Sequence, residues 1–191
     1  MQSTVPEMSV VHVAVAVIKN NKNEILIQKR AANTHQGGLW EFPGGKLEQN
    51  ETVEQGLARE IHEELDLQVL QSRPLIKIQH DYGDRHVLLD VHCIEQFQGE
   101  VVAKENQPIQ WVKAEDLPGY DMPKADIPIV SAIQLPTNYV ITPPTIDNPD
   151  LILERFGQLL DAGEKLFLYR VKTLLGMSHQ ELIEALLNQC D

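Results

Sequence analysis

The stretch of sequence that most constrains the fold runs from Glu41 to Val69 and reads EFPGGKLEQNETVEQGLAREIHEELDLQV. Within it, apolar residues recur at the spacing of one helical face over residues 52–65. These apolar positions are Val53, Leu57, Ile61 and Leu65. Thr52 suits the N-cap, and Gln55 stands in the capping-box position. The sequence therefore predicts an amphipathic helix that follows a glycine-containing loop.

Three carboxylates lie beside the apolar face of this predicted helix. Glu60, Glu63 and Glu64 occupy one neighbouring stripe, where like charges repel each other at neutral pH. One interpretation is a solvated face whose charge is relieved by Arg59 and by water. The alternative is a site for a hard divalent cation, because the cluster borders the buried face and follows Pro43-Gly44-Gly45, where backbone carbonyls can turn inward. The position of the cluster favours the cation site.

The charge of the chain restricts its partners. The 191 residues carry a formal net charge of -12, from 16 basic and 28 acidic residues, without a Lys/Arg-rich stripe. Such a surface repels polyanions, so we expect no nucleic acid polymer as a partner. A small phosphate ester remains suitable if a divalent metal ion masks the repulsion locally.

The sequence also lacks the features of membrane and secreted proteins. It has no long apolar run and no signal-peptide pattern. Cys93 and Cys190 match neither a CxxC motif nor a disulfide-dense framework, so we interpret both as reduced. We therefore expect a cytoplasmic protein without a membrane partner.

Around the carboxylate helix the chain has the pattern of an α+β domain. Strands are predicted where β-branched residues form short runs bounded by turn residues. They cover residues 10–18, 25–29, 75–80, 87–97 and 109–112. Residues 31–45 are predicted to lack regular structure, a helical turn is predicted at 114–117, and 129–134 has the pattern of the end of a short helix. Together these elements predict a helix packed on a sheet over residues 1–135.

The pattern changes after Pro136. The predicted elements there are a strand at 139–142, a helix at 148–162, a strand at 165–171 and a helix at 179–188. Ser178 is the expected N-cap of the last helix. Such an alternation begins a parallel α/β unit, which needs further strands to cover its sheet. We therefore predict a domain at 1–135 followed by an incomplete βαβα segment at 136–191.

The spacing of the charged and glycine residues in the first stretch resembles a known signature. Eight of nine spaced positions match the signature of the Nudix hydrolases. The matching residues are Gly45, Glu51, Arg59, Glu60, Ile61, Glu63, Glu64 and Leu67. The exception is Asp66, where the family usually has glycine at the helix C-cap. Because aspartate tolerates the left-handed conformation better than most residues, this departure bears on local stability more than on chemistry.

The resemblance implies the Nudix fold, a mixed β-sheet sandwiched by helices, and hydrolysis of a pyrophosphate linkage in a nucleoside diphosphate derivative. The metal ligands that it implies are Glu60, Glu63, Glu64 and the carbonyl oxygen of Gly44. They would bind Mg²⁺, with Mn²⁺ as the alternative. Glu51 and Arg59 would form a structural ion pair, and Glu60 would help to deprotonate the attacking water. A nucleoside monophosphate is the expected product.

The flanking sequence is similar to the MutT branch of the family, which hydrolyses the oxidised nucleotide 8-oxo-dGTP and so protects DNA replication. The similar fragments are QKRAANTHQ, LWEFPGGK, YGDRHVLLDV, AKENQPIQWV and PKADIPIV. This likeness implies Glu105 as a further metal ligand. It implies substrate contacts from Arg30, His35, Phe42, Tyr82, Arg85 and Asp126, with Val11, Val13 and Val87 lining the base pocket. An ordinary core or surface role is the alternative for each.

Asp126 departs from the MutT pattern, in which an asparagine is expected at this position. An asparagine amide both donates and accepts hydrogen bonds, whereas an ionised aspartate only accepts. An ionised Asp126 would therefore suit a base edge rich in N–H groups, and a keto oxygen would repel it unless the carboxyl were protonated. We expect an oxidised purine nucleotide as substrate, with another purine triphosphate as the next choice.

The last segment resembles a different family. The fragments LPTNYVITPP and AGEKLFLYRVKTL are similar to the opening strands of thiamine phosphate synthase, a (β/α)₈ barrel. Two βα units cannot close such a barrel, so we predict a truncated or degenerate segment and no thiamine chemistry. For the whole chain, hydrolysis of another nucleoside diphosphate derivative and a non-catalytic nucleotide-sensing module remain alternatives, and the oligomeric state stays open.

Overall fold

The computed structural model describes residues 10–136 and 138–190. The chain divides into two compact units, with the boundary between Gln134 and Leu135. The first unit has two clusters of buried apolar residues, and the second unit has one. Over the described residues, no helix is both long enough and apolar enough to cross a membrane.

The first unit contains a four-stranded sheet and a three-stranded sheet. The larger sheet has the order β4-β1-β6-β5, with bounds Gly44–Lys46, Val10–Ile18, His86–Gln98 and Gln68–Asp81. The smaller sheet has the order β3-β2-β7, with bounds Trp40–Glu41, Ile25–Lys29 and Ile109–Val112. Strand β1 runs parallel to β6 and antiparallel to β4, while β5 runs antiparallel to β6. The first unit is therefore a mixed α+β fold, as predicted.

Strand β1 is buried on both faces, which explains its nearly continuous apolar sequence. Val15 and Val17 contact one cluster of buried residues, and Ala14 and Ala16 contact the other. The second cluster contains the apolar face of helix α1, Val53–Leu65. Small alanine side chains on β1 leave room for α1, so that this helix packs closely on the larger sheet.

Helix α1 has the ends that the sequence predicts. The Thr52 hydroxyl accepts a hydrogen bond from the Gln55 N–H at 3.3 Å, and the Gln55 side chain accepts one from the Thr52 N–H at 2.9 Å. This capping box is confirmed. Asp66 at the C-cap adopts the left-handed conformation with a φ of 58°, and its carboxylate accepts a hydrogen bond from Lys104 Nζ at 2.8 Å. The aspartate thus fits the position where the family usually has glycine.

The prediction that residues 31–45 lack regular structure is wrong at two places. Trp40–Glu41 forms β3, and Gly44–Lys46 forms β4. These strands have two and three residues, and each pairs with a strand that is distant in sequence. Local sequence patterns do not reveal strands that exist only through such long-range pairing.

Two other predicted boundaries differ from the structure, and one agrees. Strand β5 begins at Gln68 and not at residue 75, because three register shifts and Pro74 interrupt its side-chain alternation. Helix α2 spans Ile127–Gln134, so residues 129–134 are the end of a short helix, as predicted. The predicted helical turn at 114–117 overlaps a short 3₁₀ helix at Leu117–Gly119.

The second unit has the predicted alternation of strands and helices, but each predicted strand is shortened to two residues and is followed by a second two-residue strand that was not predicted. The elements are β8 (Val140–Ile141), β9 (Thr145–Ile146), α3 (Pro149–Asp161), β10 (Phe167–Leu168), β11 (Thr173–Leu174) and α4 (His179–Leu187). β8 pairs in parallel with β10, and β9 pairs in parallel with β11. Ser178 caps α4, as predicted, and the buried centre consists of Ile146, Leu182 and Leu186.

Candidate active site

A cavity of about 230 Å³ opens in the first unit, where β1 and β6 meet the loops that follow β2 and β5. Val11, Val13 and Val15 of β1 and Val87 and Leu89 of β6 form its apolar floor. Alternate side chains of neighbouring strands point to the same face of a sheet, so these five residues lie on one surface. The cavity therefore offers a flat apolar floor with polar groups around it.

All six residues predicted to contact a substrate line this cavity. They are Arg30, His35, Phe42, Tyr82, Arg85 and Asp126. The three predicted apolar positions, Val11, Val13 and Val87, line it too. The structure thus brings these residues together, while their contacts with a nucleotide stay a prediction.

Arg30 connects the polar wall of the cavity to the loop beside it. Its Nε donates to the His35 carbonyl oxygen at 2.9 Å, and its guanidinium forms an ion pair with Glu41. Burial raises the pKa of the Glu41 carboxyl, whereas Arg30 acts in the opposite direction. Arg30 is therefore held in place by a partly buried carboxylate that was not among the predicted site residues.

Asp126 lines the cavity and lies directly before α2. It is 7% exposed, and its carbonyl oxygen accepts the N–H of Ile129 at 2.9 Å. Burial raises the pKa of the Asp126 carboxyl to about 7, and the negative charge of Glu41 acts in the same direction. The N–H of Phe42 and the charge of Arg30 lower it by less.

Tyr82, His35 and Arg85 form the rim of the cavity. The rings of Tyr82 and His35 meet edge to face with centroids 5.1 Å apart. The Tyr82 hydroxyl accepts the N–H of Ala125 at 3.4 Å, which links the loop after β5 to the segment that carries Asp126. Arg85 forms an ion pair with Asp84 at 3.1 Å. Contacts between two loops therefore shape this wall, because His35 lies between β2 and β3, whereas Tyr82 and Arg85 lie between β5 and β6.

Arg59 organises the carboxylates of α1. Its Nε and Nη2 donate to the two carboxylate oxygens of Glu51 at 2.7 and 2.9 Å, which is the predicted ion pair in bidentate form. Its Nη1 lies 2.8 Å from Glu60 and 3.4 Å from Glu63. The hydrogen bond from Arg59 lowers the pKa of Glu51 to about 2. One guanidinium thus links the loop before α1 to two of its three clustered carboxylates.

The two glycines of β4 bring these carboxylates to the cavity. Gly44 and Gly45 line the cavity, and the carboxylate of Glu60 packs directly against Gly45. A Cβ at Gly45 would lie 2.1 Å from Cδ of Glu60, so a larger residue would displace that carboxylate. Gly44 has a φ of 144° and donates its N–H to Glu64 Oε2 at 3.1 Å. The carboxylate cluster and the cavity therefore share one wall.

The comparisons with known proteins agree with this arrangement. The family described as NUDIX domain matches residues 14–132. The chain belongs to the Nudix family. It is 36% identical over 127 residues to the 8-oxo-dGTP diphosphatase of Escherichia coli strain K12, an alignment that covers 66% of this chain and 98% of that protein. It is also 34% identical over 125 residues to the CTP pyrophosphohydrolase of the same strain, covering 65% of this chain and 92% of that protein.

A solved structure gives the same result. MutT, from work on the Aliivibrio salmonicida and Vibrio cholerae proteins, superposes with a TM-score of 0.59 at 33% identity and covers 65% of this chain and 97% of its own. The chain is thus a Nudix hydrolase of MutT-like fold, and Nudix hydrolases generally need a divalent metal ion. The family match ends within the first unit.

Glu64 is a partly buried carboxylate of the Nudix helix. Its Oε2 accepts hydrogen bonds from the Gln28 side chain and from the Gly44 N–H, each at 3.1 Å. Burial raises the pKa of Glu64 to about 8, and the charges of Glu41 and Glu105 act in the same direction. A cation bound beside these carboxylates would oppose that effect. Their oxygen donors and their mutual repulsion fit a hard divalent ion.

The predicted ligands are not arranged as a preformed cluster. Within residues 10–136 and 138–190, no three His, Cys, Asp or Glu side chains are placed to hold a metal ion together. Glu60 and Glu63 lie against Arg59, and the exposed Glu105 accepts a hydrogen bond from Gln107 at 2.9 Å. The Lys104 N–H bonds to the Glu64 carbonyl oxygen at 2.9 Å, which keeps the loop with Glu105 beside the helix. The ligand roles of these residues and of the Gly44 carbonyl stay predictions.

Two residues of the Nudix site were missed by sequence reasoning. Glu41 interrupts the apolar pair Trp40 and Phe42, and a charged residue in such a place is a usable sign of a buried polar contact. Gln28 is 2% exposed in the middle of β2, where an apolar residue is the usual choice. Both reach the site through strand pairing, since Gln28 stands opposite Glu41.

Proposed function

We propose that this Nudix hydrolase converts 8-oxo-dGTP to 8-oxo-dGMP and pyrophosphate, and so removes an oxidised nucleotide from the pool used for DNA synthesis. The observation that carries the proposal is the shared wall at Gly44 and Gly45. A base held in the cavity of about 230 Å³ places the phosphates of the same nucleotide toward the carboxylates of α1. The relatives named 8-oxo-dGTP diphosphatase support the choice of substrate.

The base end of the cavity suits a purine. The valines of β1 and β6 provide an apolar surface for one face of the ring, and Phe42, which is 3% exposed, closes the inner end. Arg30 and Asp126 supply the polar groups that orient the ring edge. Tyr82 and His35 enclose it at the rim.

At the phosphate end, the carboxylates of Glu60, Glu63, Glu64 and Glu105 and the Gly44 carbonyl oxygen would hold Mg²⁺, or Mn²⁺ in its place. Such an ion lowers the pKa of a bound water and neutralises charge on the phosphoryl oxygens. Glu60 accepts the proton of the attacking water, while Arg59 keeps the Glu60 carboxylate in position. Lys46 and Arg85 line the cavity and offset the charge of the triphosphate.

The net charge of -12 supports a small nucleotide and not a nucleic acid polymer as the partner. The site has only a few basic side chains, and they lie close together, which suits the binding of a single triphosphate group. The proposed substrate comes from the free nucleotide pool, and Cys93 and Cys190 form no disulfide. Both points are consistent with an enzyme of the cytoplasm.

Product analysis with a panel of nucleotides tests the proposed function. The panel contains 8-oxo-dGTP, dGTP, CTP, ATP and ADP-ribose, each with Mg²⁺. We expect the highest kcat/KM for 8-oxo-dGTP, with monophosphate and pyrophosphate as products. The second candidate is a cytidine triphosphate pyrophosphohydrolase. It is supported by Asp126, which when ionised suits a base edge with N–H groups, and by the relative named CTP pyrophosphohydrolase. A preference for CTP would favour this candidate. Binding of a nucleotide without hydrolysis of any would contradict both and favour a sensing module.

The segment 136–191 resembles the start of a thiamine phosphate synthase barrel. We further propose that this segment has no part in hydrolysis. All residues of the candidate site belong to the first unit. A chain that ends at Gln134 should keep kcat/KM for 8-oxo-dGTP within about twofold, since no group of the site is removed. A loss of activity in a truncated chain that still unfolds cooperatively would contradict this.

A further inference from the structure

One buried polar residue of the first unit contacts the carboxylates of the site without lining its cavity. Gln28 is 2% exposed in the middle of β2. Leu26, two residues earlier, packs in the same buried cluster as the apolar face of α1, so Gln28 points to this side of its sheet as well. Gln28 is not among the described residues that line the cavity of about 230 Å³, and lines instead a narrow gap beside Glu64 and Glu105. Gln28 therefore reaches Glu64 from outside the nucleotide cavity.

The Gln28 amide holds one oxygen of the Glu64 carboxylate. Its Nε2 donates to Glu64 Oε2 at 3.1 Å, and the Gly44 N–H donates to the same oxygen at 3.1 Å. Within residues 10–136 and 138–190, no hydrogen bond reaches the other oxygen, Oε1. Two donors on one oxygen fix the orientation of the carboxylate and leave its second oxygen for another partner.

A second carboxylate lies next to Gln28 in the neighbouring strand. Glu41 of β3 stands directly opposite Gln28, where side chains point to the same face of a sheet. Burial raises the pKa of the Glu41 carboxyl, whereas Arg30 and a hydrogen bond from Gln28 act in the opposite direction. Glu41 has Arg30 as its counter-ion, while Glu64 has no ion pair in the described part of the chain. Gln28 thus lies between a paired and an unpaired carboxylate, and its two N–H groups can serve both.

The neutral charge of the amide suits a residue that supports a metal ligand. A lysine or arginine at position 28 would also hold Glu64, but its positive charge would compete with a metal ion for the carboxylate. An apolar residue, the usual choice in a buried strand, would leave Glu64 to the Gly44 N–H alone. Groups that hydrogen-bond a metal ligand orient it and tune the metal site. Glutamine orients the carboxylate and leaves its charge to the ion.

We propose that Gln28 is a positioning residue of the hydrolase, which holds Oε2 of Glu64 so that Oε1 stays available to the divalent ion. This inference rests on the proposed function, because it takes Glu64 as a metal ligand. Gln28 acts through Glu64 and contacts neither the nucleotide nor the ion itself. It gives a role to a buried glutamine that lies outside the Nudix signature.

Binding of Mn²⁺ to the full chain without nucleotide tests this role apart from activity. Electron paramagnetic resonance of the free ion gives the Kd for wild type and for Gln28→Met, which keeps the length of the side chain and removes the amide. Loss of a group that orients a metal ligand costs about 10–100-fold in metal affinity, so the Kd should increase by that factor. The matched control is Gln110→Met on the neighbouring strand β7, where an exposed glutamine donates to the Tyr120 hydroxyl at 2.9 Å. This control should keep the wild-type Kd.

Steady-state kinetics with 8-oxo-dGTP separate positioning from substrate binding. For Gln28→Met, the Mg²⁺ concentration that gives half-maximal kcat should increase by about 10–100-fold. The KM at saturating Mg²⁺ should stay within about twofold of wild type, because Gln28 does not line the cavity. Gln28→Leu, which introduces the residue type of position 26, serves if Gln28→Met does not fold.

The outcomes separate the positioning role from the proposed function. An unchanged Kd for Mn²⁺ in a folded Gln28→Met protein would overturn the positioning role and leave the proposed function standing. An equal increase of the Kd in Gln110→Met would also count against it, because the effect would then come from the sheet and not from Glu64. A raised KM with an unchanged Kd would contradict it too, since Gln28 would then act on the nucleotide. Absence of 8-oxo-dGTP hydrolysis in wild type, with weaker Mn²⁺ binding in Gln28→Met, would instead contradict the proposed function and support the positioning role.

Discussion

The two ends of the site differ in how their charges are balanced. At the carboxylate end, Arg59 binds Glu51 and Glu60 directly, with distances of 2.7 to 2.9 Å. At the base end, Asp126 is buried without an ion pair among the described residues, and its pKa is raised to about 7. The first arrangement follows the family signature, and the second departs from the MutT pattern. We infer that the carboxylate end provides hydrolysis in general, while the base end chooses the nucleotide.

The largest effect that separates the two ends is expected for Glu60→Gln. This change removes the proton acceptor and one proposed ligand, so kcat/KM should decrease by about 10²–10⁴-fold for every nucleotide that the enzyme hydrolyses. Steady-state kinetics with 8-oxo-dGTP and dGTP measure it. Glu54→Gln on the exposed side of the same helix is the matched control and should keep wild-type activity. If Glu60→Gln lowered kcat/KM for one substrate only, the carboxylate end would also contribute to the choice of base, which would contradict the division between the two ends.

A smaller effect at the same end is expected for Gly45→Ala. The new Cβ would lie within 2.3 Å of both Glu60 carboxylate oxygens and would displace them. Since misplacing a catalytic group by about 1 Å can cost about 10²-fold in rate, kcat should decrease by that order. Gly119→Ala, where the Cβ would meet no atom within 4 Å, is the control. Wild-type kcat in a folded Gly45→Ala protein would mean that the position of Glu60 does not limit the rate.

At the base end, Asp126→Asn should change the pH dependence of stability. The pKa of Asp126 is raised from 3.8 to about 7, so its favourable contribution is present at low pH and is lost between those two values as the pH rises. Relative to Asp126→Asn, the free energy of unfolding of wild type should therefore decrease by on the order of 2 to 3 kcal/mol from pH 5 to pH 8. Urea unfolding without metal ions measures it. Parallel pH profiles would show that Asp126 is ionised at both pH values.

The smallest effect is expected at the helix C-cap. Asp66→Gly removes the cost of a left-handed aspartate but also the exposed hydrogen bond from Lys104 Nζ, at 2.8 Å. These contributions oppose each other, and the lost hydrogen bond is exposed to solvent, so the free energy of unfolding should change little. Activity should stay unchanged, and thermal unfolding with a kinetic assay checks both. A large loss of activity would place Asp66 in the catalytic machinery.

The periodicity of the sequence predicted the helix at the carboxylate end, but it did not predict the strand pairings at the base end, for a physical reason. The cap at Thr52, the apolar face of α1 and the pair of Glu51 with Arg59 all lie within one short stretch, where the helical period fixes which side chains meet. The base end depends on strand pairings between distant segments, such as Gln28 with Glu41. Glu41 was missed for that reason.

The strands differ in the same way. β1 was predicted with its correct bounds, because a long β-branched run between turns carries its own signal. β3 and β4 were not predicted, because two or three residues carry no period and depend on their partners. The pKa of Asp126 could not be predicted either, since it depends on burial and on the position of Glu41.

The division of the site into two ends is tested most directly by one set of kcat/KM values. Wild type, Glu60→Gln and Asp126→Asn would each be assayed with 8-oxo-dGTP and dGTP at about pH 8, above the pKa of Asp126. We expect Glu60→Gln to lower both values in the same proportion, and Asp126→Asn to raise the preference for 8-oxo-dGTP about tenfold with little change for dGTP. A change of preference in Glu60→Gln, or an equal loss for both substrates in Asp126→Asn, would contradict the division.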